Sequence, residues 1–123
     1  MFKCLFENVF NAVSIHEIIL DEQGKPVDYV FLQANPAFEK YTGLIAADII
    51  GRRAMQVYPG IEKTDLIEIY GNVVLTGVPA SFETFFEPAQ RHYSINCFKI
   101  GNSRFAVTLG DVHVDIAVPK EVL

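Results

Sequence analysis

The residues with the most reactive side chains are three histidines and two cysteines, and their spacing limits what they can do. Cys4 and Cys97 lie far apart and lack the short paired spacing of a metal site, so two reduced thiols are the simplest reading. His16, His92 and His113 are also widely separated, which disfavours a metal cluster. His16 with Glu17 or Glu83 would be the acid–base candidates of an enzyme. Neighbours on a strand point to opposite faces, so His16 and Glu17 cannot act together from one. The chain reads as a non-enzyme. A different use is orientation of a bound molecule: His16, Gln33 and Tyr93 are polar groups among apolar neighbours, as in a pocket with few polar contacts. The plainer alternative makes them half-buried core residues bonded to backbone or water.

Several elements must position these side chains. Phe2, Leu5, Phe6, Val9 and Phe10 recur at helical spacing and predict an amphipathic helix over residues 1–11. "AVSIHEIILD" and "VDYVFLQA" flank the polar turn "DEQGKP" and predict an antiparallel pair within residues 12–34. Asn35 is placed to cap a helix with Pro36 at its first position, and Gly43 to end it. "IAADIIG" repeats the device, and "RRAMQVYPG" forms a third short turn. The longest helix is predicted over about residues 61–76, with Asp65 and Glu68 as an alternative internal start. Strands follow in "ASFETFFE", "RHYSINCFKI" and "SRFAVTLGD", with Gly101-Asn102 as a tight hairpin signal.

Helices grouped between two sets of strands predict an α+β fold with one antiparallel sheet. Alternation then assigns inward faces. Phe105, Val107 and Leu109 face inward on the last strand, Tyr93, Ile95 and Cys97 on the one before, and Tyr29, Phe31 and Gln33 on the second. On the first strand, Ser14, His16, Ile18 and Leu20 compete with Val13, Ile15, Glu17 and Ile19. The outer face would carry Val13, Ile15, Phe85 and Phe98, too apolar to be bare. A homodimer through that face and the N-terminal helix is therefore expected.

The 123 residues fit one domain, and half are hydrophobic, enough for a core. A net charge of −5 without a basic cluster gives no support to nucleic-acid binding. No apolar run approaches the ~20 residues of a membrane span, and Glu7, Asn8 and Asn11 interrupt what would be a signal-peptide core. A cytoplasmic location is therefore the default.

Three local stretches carry a family resemblance. "ANPAFEKYTG" is similar to the Asn-Pro-Ala-Phe-x-x-x-Thr-Gly stretch of PAS domains, "AADIIGR" to their Glu-x-x-Ile-Gly-Arg stretch, and "FAVTLGDV" to their last strand. His113 replaces the threonine that commonly closes that strand. The resemblance spans about residues 12–112 and implies a five-stranded sheet in the order 2-1-5-4-3 with helices on one face. Matching Asp21 to the family's strand-ending acid favours Ser14, His16, Ile18 and Leu20 as inward. The implied arrangement is one PAS domain over residues 1–112, with residues 113–123 as a tail or the start of a linker to an effector.

The resemblance also implies a sensory or relay role within a signalling protein, such as a histidine kinase of a two-component system or a cyclase. The light-sensing branch places its adduct-forming cysteine where this chain has Ala54, and its glutamine where this chain has Leu109. Alanine cannot attack a flavin. Haem-binding relatives take an axial histidine from the long helix, and residues 61–76 contain none. No cofactor is predicted. A small organic molecule between sheet and helices remains, lined by His16, Tyr29, Gln33, Tyr93, Cys97 and Leu109. The alternatives are a dimerisation scaffold with a filled core and a small cone-shaped α+β enzyme. The enzyme fits less well, because two strands precede the helix group.

Overall fold

The computed structural model describes residues 12–87 and 90–111. The helix expected over residues 1–11 and the tail over 113–123 lie outside the described residues. The fold is α+β. Its strands are β1 (Ala12–Leu20), β2 (Pro26–Ala34), β3 (Ala80–Phe86), β4 (Arg91–Lys99) and β5 (Arg104–Asp111). They form one antiparallel sheet in the order β2-β1-β5-β4-β3. Between β2 and β3 come α1 (Pro36–Thr42), α2 (Ala46–Ile49), α3 (Ala54–Val57), a 3-10 turn (Ile61–Lys63) and α4 (Leu66–Thr76).

Asn35 fastens α1 to the sheet. Its side chain accepts hydrogen bonds from the Phe38 N–H at 2.9 Å and the Val13 N–H at 3.0 Å. The first is the helix cap and the second reaches β1, so one fully buried amide sets where the helix leaves the sheet. Gly43 ends α1 at φ 79°, a left-handed conformation that costs glycine little. Glu39 then accepts from the Ala46 N–H at 2.8 Å and fixes the start of α2.

The segment after α2 runs along the free side of β2. The Gly51 N–H donates to the Phe31 carbonyl at 2.8 Å, and the Phe31 N–H to the Arg52 carbonyl at 3.1 Å. This closes one sheet edge, while β3 forms the other. Next, Asp28 Oδ1 accepts from the Met55 N–H at 3.2 Å and holds the start of α3 against β2.

Two boundaries differ from expectation. The long helix begins at Leu66 rather than near residue 61, because Thr64 is extended (φ −100°, ψ 175°) and separates the 3-10 turn from α4. Asp65 occupies the cap position but makes no side-chain cap bond, and Thr64 Oγ1 instead accepts from the Leu66 N–H at 3.2 Å. The β4–β5 connection is wider than a two-residue turn, closing with Ile100 N–H on the Arg104 carbonyl at 3.0 Å.

α4 crosses the sheet and touches all five strands. It seats closely on the first hairpin: a Cβ added at Gly71 would lie 2.1 Å from Pro26 Cγ. The main core lies between helices and sheet, with Phe105, Tyr93, Ile61 and Val73 essentially solvent-free. Burying a side chain the size of Phe105 contributes about 1.5–3 kcal/mol. On the outer face Ile15 and Ala106 form a second small buried cluster with Val13 and Leu32.

Candidate functional site

A cavity of about 60 Å³ lies inside the main core. β1 contributes Ser14 and His16 to its wall, β2 contributes Tyr29 and Phe31, and the helices close it through Ala54 and Tyr70, among others. The wall is apolar, and no Asp, Glu, Lys or Arg lines it among the described residues.

His16 is the polar centre. Its ring stacks on Phe105 at 5.0 Å and meets Tyr29 and Phe31 edge-on at 4.8 and 4.7 Å. Nε2 lies 2.7 Å from Ser14 Oγ, and Nδ1 has no hydrogen-bond partner. Burial drives the imidazole pKa from 6.5 down to about 3, and the backbone of Val30 offsets this only in part. The ring is therefore neutral across the physiological range. Tyr29 and Tyr70 are buried beside it, and burial pushes both phenols above their usual value, with the Asp28 charge adding to the effect at Tyr29.

The residues singled out from sequence divide by position. His16, Tyr29, Tyr93 and Leu109 line the cavity. The Tyr93 hydroxyl donates to the Tyr41 carbonyl and ties β4 to α1. Cys97 is buried in the same core but does not line the cavity, and burial pushes its thiol up to about 12. Gln33 corrects the strand parity. Ile15 pairs with Gln33 but His16 with Phe31, so Leu32 is an extra residue on β2. A bulge of one residue transfers the later residues of a strand to the other face. Gln33 is exposed, opposite Ile15, and Leu32 packs into the outer cluster. The inward face of β1 carries Ser14, His16 and Ile18 as expected, whereas Leu20 at its end is exposed. Ser14, placed inward with His16 by its spacing of two on one strand but not counted among the ligand-binding candidates, also lines the cavity.

A family model described as PAS fold matches residues 20–109. The chain belongs to the PAS family. Solved structures agree in fold with this PAS domain. An RNA-binding light-oxygen-voltage receptor superposes with a TM-score of 0.67 at 15% identity over 94% of this chain. The chain spans only 33% of that receptor's length. The PAS domain of a protein from Colwellia psychrerythraea gives 0.61 at 17% identity, over 89% of this chain and 92% of that one. A domain of a sensory box sensor histidine kinase/response regulator from Geobacter sulfurreducens gives 0.59 at 15% identity, over 89% and 90%. A comparison with curated protein sequences gives no match. Among the described residues of this PAS domain, no group of His, Cys, Asp and Glu is arranged to hold a metal, and no helix is long and apolar enough to cross a membrane.

Proposed function

We propose that this PAS domain is a sensory or relay module of a signalling protein, with a small organic ligand taken up between sheet and helices. The observation that carries this reading is the cavity of about 60 Å³, apolar in its wall, around a buried and incompletely bonded His16. Protein interiors are close-packed, and an unfilled void costs contacts that an occupant restores. The similarity to a domain of a sensor histidine kinase/response regulator supports an effector, such as a histidine kinase or cyclase, in a longer parent protein. The domain is not an enzyme in this reading: His16 is neutral and enclosed, while Glu17 sits near Arg104 at 3.7 Å on a half-exposed surface. Its place is cytoplasmic.

The residues present do not suit a covalent flavin adduct or a haem, the two cofactor chemistries that the family resemblance raises. Ala54 is buried in the cavity wall where an adduct-forming flavin site needs a thiolate, and the Cys97 thiol is held protonated. α4 carries no histidine for a haem, and a cavity of about 60 Å³ is far smaller than the macrocycle. Self-association as a homodimer is supported by Phe85 and Phe98, which are exposed on the outer sheet face. The small size of the cavity favours a second reading, a dimerisation scaffold whose core is filled.

Native mass spectrometry of gently purified protein, paired with its visible spectrum, tests the first reading. A bound mass without colour is the expected result. A coloured species would overturn the cofactor argument, and ligand-free protein that also resists small probes would leave the scaffold.

A further inference from the structure

The cavity wall contains several hydroxyls and turns almost no oxygen inward. Ser14 Oγ is hydrogen-bonded to His16 Nε2, Thr42 Oγ1 donates to the Phe38 carbonyl at 2.7 Å, and the Tyr93 hydroxyl donates to the Tyr41 carbonyl. Tyr29, Tyr58, Tyr70 and Thr84 bring further hydroxyls to the lining. Even so, the surface that the described residues turn toward the space is almost entirely carbon. These side chains therefore meet the cavity with their rings and methyl groups. His16 Nδ1 is sealed as well, with essentially no accessible area. Ile95, Val107 and Leu109 from the sheet complete the wall, with Ala54, Ile61 and Leu66 from the helical layer. The wall is also uncharged at neutral pH: burial keeps the His16 ring neutral and raises the Tyr29 and Tyr70 phenols above their usual value.

We propose that the cavity selects a neutral, wholly apolar molecule of a few heavy atoms, a short hydrocarbon in preference to an alcohol, acid or amine of similar size. The proposal rests on the ligand-binding reading above and narrows it to a chemical class. Polarity and size define the class. A hydroxyl that left water for this wall would give up its hydration and find no partner, and an ion would lose more. A methyl group in the same place escapes unfavourable hydration and gains dispersion contacts with the rings and aliphatic side chains. The volume of about 60 Å³ is well below the roughly 150 Å³ of an apolar protein cavity that accepts benzene, so the body is a few carbons long. Water is a weak competitor. A buried water needs two to four polar partners, and a carbon surface supplies almost none. An apolar guest therefore enters without displacing a well-held water.

The test uses methyl and amide NMR of the full chain at neutral pH, titrated with propane, ethanol, ethylammonium and acetate, probes of similar size. Propane is expected to saturate and to shift the methyl signals of Ile95, Val107 and Leu109. It should bind at least about tenfold more tightly than ethanol, which has the same shape with a hydroxyl in place of one methyl. Ethylammonium and acetate are expected not to enter. Ala54→Val adds two methyl groups to the wall and should weaken propane binding at least about tenfold. Should that variant not fold, the methyl shifts of the unaltered protein locate the guest. Ethanol binding as tightly as propane, or entry of either ion, overturns the proposal while leaving a ligand cavity in place. Propane shifts confined to methyl groups away from the cavity, undiminished propane binding by the folded variant, or exclusion of all the probes overturns the proposal together with the ligand reading on which it stands.

Discussion

His16 combines burial with a missing partner, and this links the site to the stability of the fold. Its pKa falls from 6.5 to about 3 because burial penalises the charged ring. As pH drops below 6.5, the unfolded chain binds a proton that the folded chain refuses. The neutral ring's contribution is complete above pH 6.5 and is lost progressively toward about 3. At roughly 1.4 kcal/mol per pH unit the loss amounts to a few kcal/mol. Urea unfolding across that window should show His16→Phe losing less stability on acidification than the unaltered chain; parallel curves would assign the acid sensitivity to other groups. Tyr93→Phe removes the hydroxyl that reaches the Tyr41 carbonyl and should cost about 1–2 kcal/mol in the same assay. At this scale the sequence is informative wherever a strand alternates without interruption. Tyr93 on β4 and Leu109 on β5 reach the cavity for that reason. Gln33 does not, because nothing in "YVFLQA" marks Leu32 as the inserted residue of a bulge. The bulge depends on which residues of β1 pair across the sheet, a long-range fact absent from any local pattern.

Among the elements, the connections between helices and sheet rest on a few side chains with several partners. Asn35 serves the α1 cap and the β1 backbone at once. Asn35→Ala would strand two N–H groups and is expected to destabilise the domain by about 2 kcal/mol or more. Denaturant melts would measure it, and a change within about 0.5 kcal/mol would mean that water replaces the amide. Asn35-Pro36 is legible as a helix start because capping is local chemistry. The second bond to Val13 is not, since it joins residues from different elements. The start of α4 is legible only as one of two options, and it falls at the internal one, with Asp65 in the cap position. No glycine or proline separates Ile61 from Leu66, but the 3-10 turn and extended Thr64 divide the segment while keeping Ile61 and Leu66 buried.

For the whole molecule, the sheet presents two different faces to two different tasks. The inner face holds the cavity, and the outer face exposes Phe85 and Phe98, with Phe85 only 4.8 Å from the His92 ring. Replacing both phenylalanines with serine should shift sedimentation toward the monomer without changing probe uptake by the cavity. An unchanged sedimentation profile would remove this face as the contact. The close seating of α4 on the first hairpin has a consequence of a different kind. Gly71→Ala places a methyl group on the Pro26 ring and should cost about 1–3 kcal/mol, although alanine favours a helix over glycine. Pro26→Gly in the same chain should return part of that loss, because it removes both ring carbons nearest the new methyl. Positions 71 and 26 are therefore not free to drift independently. A side chain can appear at one only after room has been made at the other, so the order in which substitutions arise decides which descendants of this sequence still fold.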